Sequence, residues 1–406
     1  MRRLGLLALL LLPALAAAQP VYRLDGTDPA LPQADLEPLK KILGKAPVVA
    51  LGESIHTSGG FYEMKHRVFR FLVEKMGFRV LAIESAWIDA ERASQYVRTC
   101  EGTPEDAIRG LYTVWQSAEI RDLLQWMCDW NRGHRRRQDK LHFFGFDIQQ
   151  PEDDRPALLA FLDRIGIGAD DPLAAGVAAC EGVSKLYPDP IPEERYQRCL
   201  AGLDEVERLF RKEEPSLVRR TSRSDLARAR MSLVGLRAWQ GYAYYAGLGD
   251  MAASHESRDS GMAWVFQSIR KLRHPKSRTV VWAHNFHIAR RLEEASFHTR
   301  TMGSFLREAF GPSYATIALT AHETGIDWQE VGCGTIRAPG GSVEAKLHDL
   351  GHEHLLLDLR GDPPFLTPGE VLLLGEYDMV PADQFDGILY LDVSRKMSPL
   401  AWPPCR

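Results

Sequence analysis

Short apolar runs alternate with longer amphipathic stretches along most of the chain. The apolar runs lie at residues 47–51, 79–83, 141–146, 279–283, 315–319, 354–359 and 385–391. The earlier runs are continuous rather than alternating, which is typical of strands buried on both faces. Because helical stretches separate them, the sequence predicts an α/β fold with a largely parallel central sheet flanked by helices.

The pattern changes between residues 152 and 261. This segment is rich in Arg, Glu, Leu and Ala and shows no convincing strand, so we expect a helical insertion carried by the α/β core. The predicted organisation is a leader at 1–18, a first part of the core at 19–151, the insertion at 152–261 and a second part of the core at 262–406.

The best-defined helix is predicted over residues 60–76. Its apolar face is formed by residues at spacings of three and four, namely Phe61, Met64, Val68, Phe71 and Leu72. Lys65 lies within that face. Since burying an unpaired ammonium group is costly, Lys65 either has a partner in a cleft or extends past its neighbours to solvent.

The chain begins with the features of a secretory signal peptide. Arg2 and Arg3 precede an apolar run that ends in three alanines before Gln19. The run is shorter than the roughly 18–20 residues that span a bilayer. We therefore expect cleavage after Ala18 and an exported protein, periplasmic or secreted, that is not held at the membrane after cleavage.

The chain has six cysteines, and an exported protein can form disulfides. Spacing suggests that Cys100 pairs with Cys128 and that Cys180 pairs with Cys199. Cys333 and Cys405 are then left over. Other connectivities stay open, because spacing alone does not fix them. No C-x-x-C motif is present, so neither a zinc ribbon nor a thioredoxin-type site is indicated.

Composition excludes some classes of function. There are 50 Lys and Arg against 54 Asp and Glu, which gives a formal net charge of −4 over 406 residues. A dedicated nucleic-acid-binding protein would carry a strong positive charge, so we expect no nucleic-acid partner. With 45% hydrophobic residues the chain is also unlike a disordered protein.

Polar side chains follow four of the predicted strands. Along the chain, Glu53 and His56 follow the first of these strands, Glu84 the second, Asp147 the third, and His284 and His287 the fourth. Ligands of open parallel sheets bind at the carboxyl ends of the strands, so this clustering indicates an active site. Each residue alone also has a structural explanation. Glu53 could cap a helix, Glu84 could pair with Lys65 or an arginine, and the histidines could be packing or loop residues.

Several common catalytic motifs are absent from the sequence. It contains no G-x-S-x-G, H-E-x-x-H, G-x-x-x-x-G-K-[ST] or G-x-G-x-x-G. A histidine has a pKa suited to general-base catalysis near neutral pH, and a neighbouring carboxylate fixes its tautomer and raises its basicity. The residues that remain therefore predict activation of a water molecule by a His–Glu site.

Five segments, taken together, resemble the erythromycin esterase family. They read GESIH at 52–56, IESAW at 83–87, FGFDIQ at 144–149, RDSGMA at 258–263 and WAHNFH at 282–287. They occur in the family's order, and MG at 302–303 and FDG at 385–387 also match. The resemblance covers essentially the whole chain after the leader.

This resemblance implies a hydrolase that opens the lactone ester of macrolide antibiotics without a serine nucleophile or a cofactor, and thereby a role in antibiotic resistance. It implies that His56 is the general base and that Glu53 and Glu84 are the family's carboxylates. The histidine of the last motif corresponds to His284 or His287, and the sequence does not choose between them.

The resemblance also implies a basic residue on the first helix, often Arg, and this is Lys65 here. With Asp147 and Arg258, Lys65 forms the expected substrate-binding set, and no residue is assigned to a metal. In this hypothesis His56, oriented by Glu53 or Glu84, activates water against an ester carbonyl. His284 or His287, with Lys65, then stabilises the oxyanion or protonates the leaving alcohol.

Two other classes of function stay open at this point. The same His and Glu side chains could ligate the ion of a divalent-metal-dependent hydrolase. They could also belong to a non-enzymatic protein that binds haem or another small ligand. The favoured interpretation is a cofactor-free ester hydrolase whose partner is a small-molecule ester or lactone.

Overall fold

The computed structural model describes residues 21–183, 189–295, 298–328, 332–360, 371–372 and 377–404. The predicted leader and Cys405 lie outside these ranges. The strands are β1 (Val21–Arg23), β2 (Val48–Leu51), β3 (Phe78–Ala86), β4 (His142–Asp147), β5 (Arg278–Trp282), β6 (Tyr314–Trp328), β7 (Gly332–Arg337), β8 (His354–Asp358), β9 (Val371–Leu372), β10 (Tyr377–Asp378) and β11 (Gly387–Ser394).

The α-helices are distributed between these strands along the chain. They are α1 (Pro38–Leu43), α2 (Gly59–Met76), α3 (Glu91–Thr99), α4 (Pro104–Ile108), α5 (Ala118–Gly133), α6 (Pro151–Arg164), α7 (Pro172–Ala178), α8 (Glu193–Lys212), α9 (Glu214–Arg220), α10 (Arg223–Gly247), α11 (Met251–Arg273), α12 (Asn285–Ile288), α13 (Met302–Phe310), α14 (Val343–His348) and α15 (Pro381–Gln384).

A nine-stranded sheet forms the centre of the molecule, in the order β1-β8-β11-β6-β2-β5-β3-β4, with β7 paired to β6 outside that path. The strands from β11 to β4 in this order are parallel to one another. By contrast, β8 pairs antiparallel with both β11 and β1, and β7 pairs antiparallel with β6. The predicted α/β fold with a largely parallel sheet is confirmed.

The seven predicted strands all belong to this sheet, and most of their ends differ by only a few residues from the prediction. The exception is β6, which was expected to end at Leu319 and continues to Trp328. Beyond Leu319, polar residues such as His322 and Glu323 interrupt the apolar run. The extension is nevertheless a strand, because it pairs with β7 on one side and with β11 on the other.

The sheet carries a hydrophobic core on each face. In β2, Val49 and Leu51 belong to the core that also contains the apolar face of α2, whereas Val48 and Ala50 belong to the core on the opposite face. Alternate residues of a strand point to opposite faces. This is why β2 has a continuous apolar sequence rather than an alternating one.

Helices α6 to α11 occupy the chain between β4 and β5, and the described part of residues 152–261 contains helices and no strand. Residues of α6, α7, α8, α9 and α10 form an apolar cluster of their own. Met262 and Phe266 of α11, by contrast, pack in the core of the sheet. The boundaries of the insertion as a separate unit stay a prediction.

Two disulfides join the cysteine pairs that spacing suggested. Cys100 and Cys128 have a Cα–Cα distance of 5.5 Å, and Cys180 and Cys199 one of 4.7 Å. Both are consistent with an exported protein. A Cys333–Cys405 pair stays a prediction, since Cys405 lies outside the described residues. Within the ranges that the structure covers, no helix has the length and apolar character needed to cross a bilayer.

An irregularity in β3 sets the position of Glu84. Ile83 pairs with Gly145 and Ala86 with Asp147, so three steps along β3 oppose two steps along β4. A bulge of this kind changes the direction of the local side chains and is common beside active sites. A Cβ on Gly145 would lie 2.4 Å from the carbonyl oxygen of Ser85 and 2.7 Å from that of Ala86.

Gly145→Ala is therefore expected to lower the free energy of unfolding by about 1–3 kcal/mol, because the added methyl group meets backbone that cannot move without breaking the bulge. Urea unfolding measures the change. The control is Gly133→Ala at the end of α5, where a Cβ meets no atom within 4 Å. That control should change stability by less than about 1 kcal/mol. Equal losses in the two variants would contradict a strict need for glycine at the bulge.

Candidate active site

The polar residues predicted from the sequence meet at the carboxyl ends of four adjacent strands, β2, β5, β3 and β4. A cavity of about 560 Å³ opens at this edge. Five of the predicted residues line it, namely His56, Glu84, Arg258, His284 and His287. The other three, Glu53, Lys65 and Asp147, are fully buried. The topology thus brings together residues that are far apart in the chain.

His56, Glu53 and Lys65 form a hydrogen-bonded chain that leads away from the cavity. Glu53 Oε1 lies 3.0 Å from Nδ1 of His56, and Lys65 Nζ donates to Glu53 Oε2 at 2.9 Å. The side chains of Glu53 and Lys65 have no exposed surface, whereas that of His56 is 20% exposed. Lys65 therefore has a buried partner and does not extend to solvent. The Glu53 carboxylate bonds these two side chains and does not cap α2.

The surroundings of Lys65 alter its protonation. Burial lowers the pKa of the Lys65 ammonium group to about 8, although the Glu53 carboxylate partly offsets the effect. The ammonium group also lies 4.3 Å from the centre of the Trp282 ring, a cation–π contact. At neutral pH Lys65 thus carries the positive charge that a buried Glu53 carboxylate needs.

The hydrogen bond from Glu53 sets the chemistry of the His56 ring. An ionised carboxylate accepts, so Nδ1 of His56 carries the proton and Nε2 is left with its lone pair. The Trp115 ring meets His56 edge-on at a centroid distance of 5.1 Å, and the His284 ring lies 5.3 Å away. Trp115 is itself held by a hydrogen bond from its indole N–H to the carbonyl oxygen of Glu84. The imidazole is thereby fixed in both tautomer and orientation.

Arg258 of α11 lies between two buried carboxylates. Its Nη2 donates to Glu84 Oε1 at 2.8 Å and to Asp147 Oδ2 at 2.5 Å, and its Nε donates to Asp147 Oδ1 at 3.2 Å. Burial alone would lower the pKa of Arg258, but Asp147 and Glu84 outweigh it and raise that pKa above its usual value. Arg258 therefore stays charged and connects α11 to β3 and β4.

His287 lies between two carboxylates as well. Its Nδ1 is 2.9 Å from Asp259 Oδ1, and its Nε2 is 3.2 Å from Glu84 Oε1. Burial lowers the pKa of His287, but Asp259 and Glu84 overcome it and raise the value to about 9. Nε2 also lies 3.0 Å from Nη1 of Arg258, so a deprotonated ring could accept a hydrogen bond there.

His287 in turn shifts the pKa of Glu84. Burial would raise the pKa of the Glu84 carboxyl, but His287 and Arg258 hold it well below its usual range. At neutral pH Glu84 is therefore ionised and His287 is an imidazolium. The partner of His287, Asp259, is held in turn by the backbone N–H of Met302 at 2.7 Å.

His284 differs from His287 although both follow β5. Its backbone N–H donates to Glu84 Oε2 at 2.8 Å, and its Nε2 lies 2.8 Å from the carbonyl oxygen of Ser54, so Nε2 carries a proton. Its Nδ1 accepts from the backbone N–H of Phe286. Burial lowers the pKa of His284 to about 3. His284 is thus a neutral ring in which both nitrogens take part in hydrogen bonds to the backbone.

Three contributions to the site were not singled out in the sequence. Asp259 bonds His287, Trp115 contacts His56, and the Ser54 carbonyl fixes His284. Asp259 directly follows Arg258 within the RDSGMA segment, and that adjacency was the one available signal. Trp115 lies in a short segment between α4 and α5, and nothing in the local pattern marks it.

The rest of the cavity wall mixes apolar side chains with polar ones of both charges. Its polar and charged members include Asp89, Arg109, Tyr112, Gln149, Gln150 and Tyr242. Asp89, Gln149 and Gln150 lie in loops that follow β3 and β4, Arg109 and Tyr112 follow α4, and Tyr242 comes from α10. Donors and acceptors of this kind can orient a polar small molecule.

The polar residues at the ends of β2, β3, β4 and β5 are called here the strand-end cluster, and their chemistry bears on metal binding. They are Glu53, His56, Glu84, Asp147, His284 and His287. Within the residues that the structure describes, one group of three or more His, Cys, Asp or Glu side chains brings its ligand atoms within 4.8 Å of one another: His322, His348 and Asp392. The strand-end cluster is not such a group. There the guanidinium of Arg258 occupies the position between carboxylates that a divalent cation would need.

Known proteins resemble this chain over most of its length. The erythromycin esterase family model matches residues 73–394. The Bacillus subtilis protein YbfO is 24% identical over 393 residues, which are 88% of this chain and 86% of that one. Erythromycin esterase type II of Escherichia coli is 22% identical over 318 residues, 71% of this chain and 72% of that one.

Solved structures share the fold. A mutant of the erythromycin esterase EreC in its open conformation has a TM-score of 0.74 at 18% identity, covering 92% of this chain and 97% of that one. A protein from Bacillus cereus has a TM-score of 0.71 at 20% identity, covering 93% and 96%. The family match begins after Glu53, His56 and Lys65, so the roles of these three residues depend on geometry.

Lys65→Met should lower the free energy of unfolding by about 3–5 kcal/mol, because it leaves the Glu53 carboxylate buried without its cation. The double variant Glu53→Gln/Lys65→Met should lose less than the sum of the two single variants. Urea unfolding of all four proteins gives the coupling. Lys40→Met is the control. Lys40 pairs with Glu37 at the surface, where both side chains are more than 40% exposed. Its substitution should lower the free energy of unfolding by less than about 1 kcal/mol. Strict additivity at Glu53 and Lys65 would contradict the pairing.

His287 should stabilise the fold in a pH-dependent way. Its pKa is raised from the ordinary value of 6.5 to about 9. The resulting stabilisation is fully present below pH 6.5 and is lost as the pH rises through 9. The loss of stability in His287→Gln should therefore be largest in acid and shrink towards pH 9. Unfolding curves across this range test it, with His352→Gln as a control outside the site. A pH-independent difference would exclude a charged His287.

Proposed function

The chain belongs to the erythromycin esterase family, which supports hydrolase activity on a small molecule, and we propose that it hydrolyses an ester or macrolide lactone with water activated by His56. The observation that carries this proposal is the fixed tautomer of His56. Its Nδ1 bonds Glu53 at 3.0 Å, and His56 lines the cavity. A histidine held in this way presents Nε2 as a base.

In the proposed reaction a water molecule in the cavity gives a proton to Nε2 of His56 while its oxygen attacks the carbonyl carbon. The Glu53 carboxylate stabilises the imidazolium that forms, as in other His–carboxylate pairs. When the carbon–oxygen bond to the leaving group breaks, His56 returns the proton to the departing alcohol oxygen. The acid and the alcohol leave, and the ring is again neutral.

The negative charge on the attacked carbonyl oxygen needs cations at the cavity wall. Arg258 and His287 both line the cavity, and the raised pKa of each keeps it charged at neutral pH. We assign them to stabilising the oxyanion. Glu84 holds both cations in place, and between the two candidate histidines this assignment favours His287. His284, which is neutral, positions Glu84 through its backbone N–H.

Lys65 and Asp147 take positioning roles in this proposal. Both are fully buried, and each contacts a residue of the site rather than the cavity. Lys65 donates a hydrogen bond that holds Glu53 beneath His56, and Asp147 orients the guanidinium of Arg258. Contact with the substrate then falls to Arg258 and to the polar side chains of the cavity wall.

The geometry gives less support to the alternative functions. A divalent ion at the strand ends would have to displace Arg258 from its hydrogen bonds to Glu84 and Asp147. A protein that only binds haem or another ligand has no need of a general base with a fixed tautomer. Export stays part of the proposal. It is supported by the leader-like start and the two disulfides, and it would place macrolide hydrolysis outside the cytoplasm.

The proposal predicts that His56→Gln lowers kcat by about 10²–10⁴-fold, because the general base is lost while the cavity is kept. Macrolides and a panel of simpler esters and lactones are incubated with the protein, and mass spectrometry detects the gain of one water. His134→Gln is the control, since His134 stacks on Trp130 and does not line the cavity.

A chelator should leave this rate unchanged. Full activity of His56→Gln on a substrate that the parent protein hydrolyses would contradict the role of His56. Loss of activity with chelator in a protein that stays folded, restored by a divalent metal, would favour the metal-dependent alternative. The absence of hydrolysis on the whole panel would contradict the ester and lactone substrate class.

A further inference from the structure

A second group of ligand-forming side chains lies where β6, β11 and α14 meet. His322 is on β6, Asp392 is on β11, and His348 is the last residue of α14. One ring nitrogen of each histidine and one carboxylate oxygen of Asp392 lie within 4.8 Å of one another. None of the three residues lines the catalytic cavity. The group is thus separate from the site described above.

The contacts within the group are close. His348 Nδ1 lies 2.6 Å from Asp392 Oδ1, and the Tyr390 hydroxyl donates to the same oxygen at 2.7 Å. The rings of His322 and His348 are nearly perpendicular, with a centroid distance of 4.0 Å. Three different elements therefore direct two imidazoles and one carboxylate to one point.

One atom of the group lacks a hydrogen bond. Nδ1 of His322 is shielded from solvent, and no polar atom of the described residues bonds it. An unsatisfied buried nitrogen costs about 1–3 kcal/mol and calls for a ligand or a specific explanation. The other charged neighbour on β6, Glu323, is already paired with Arg337. A cation that His322 binds through Nδ1, together with His348 and Asp392, would supply the missing bond.

We propose that His322, His348 and Asp392 bind a first-row divalent transition-metal ion of the Zn²⁺ class, with water completing a four-coordinate shell. Two imidazoles and a carboxylate suit Zn²⁺, whereas Mg²⁺ and Ca²⁺ prefer shells made of oxygen. Binding replaces the hydrogen bond between His348 and Asp392 with two metal bonds. The Tyr390 hydroxyl then serves as the outer partner that orients Asp392.

The position of the site indicates what the ion does. It joins α14 to the parts of β6 and β11 that extend past the catalytic edge. Two residues after Asp392, the Ser394 hydroxyl bonds the Ser58 hydroxyl at 2.6 Å, and the Arg395 carbonyl accepts from Gly59 at the start of α2. α2 carries Lys65. The ion is therefore a structural one that secures the strand supporting α2, and it takes no part in hydrolysis.

The test is a Zn²⁺ titration of the full chain, prepared without a polyhistidine tag and first treated with chelator. Isothermal titration calorimetry should find one equivalent bound. His348→Gln and Asp392→Asn should weaken binding by more than about 100-fold, because even changes to outer partners cost 10–100-fold. His352→Gln changes a histidine that lies just after α14 and outside the group, and it should bind as the parent protein does. The midpoint of thermal unfolding should rise with Zn²⁺ in the parent and control alone.

Co²⁺ gives an independent readout. Four-coordinate Co²⁺ should produce intense visible absorption in the parent protein and in His352→Gln, and none in His348→Gln or Asp392→Asn. Far-ultraviolet circular dichroism confirms that each variant is folded. The proposal is overturned if the folded parent binds no Zn²⁺. It is also overturned if His348→Gln and Asp392→Asn bind as tightly as the parent, or if only a substitution at His56 abolishes binding.

Discussion

The guanidinium of Arg258, buried between Glu84 and Asp147, is the interaction on which the rest of the site depends. Parallel strands bring their carboxyl ends together, and here those ends carry carboxylates that would repel one another in a dry environment. Arg258 neutralises that charge, and Asp259, the next residue on α11, fixes His287. One helix thus supplies both the cation and the histidine's partner. Without the guanidinium, the buried charges would be uncompensated, which typically costs several kcal/mol.

Three histidines share the cavity and differ only in their surroundings. Carboxylates on both sides raise the pKa of His287 to about 9, so it is a cation. Burial lowers the pKa of His284 to about 3, so it is a neutral ring held by backbone groups. His56 contacts a single carboxylate, that of Glu53, which also accepts a hydrogen bond from Lys65. Environments that separate the protonation states of like residues are the usual means of assigning acid, base and electrostatic roles.

The sequence predicted the sheet well because β2 and its neighbours are buried on both faces and leave continuous apolar runs. It also placed Lys65 in an apolar face, but it left open whether Lys65 has a buried partner or extends to solvent. It could not separate His284 from His287, since both follow β5 and only contacts from β3 and α11 distinguish them. Asp259 was missed because an acidic residue on a helix is ordinarily solvent-exposed. The sequence also could not identify the substrate, because tertiary contacts arrange the loops that line the cavity.

The central claim is that water, rather than a side chain, attacks the carbonyl carbon. A single turnover of a hydrolysed ester in oxygen-18 water, with intact-protein mass spectrometry at each time point, tests it most directly. Direct attack predicts that the acid product carries one oxygen-18 atom and that the protein's mass never increases by that of an acyl group. A transient acyl adduct on the protein, or an acid product that takes its new oxygen from a protein carboxylate, would contradict the account.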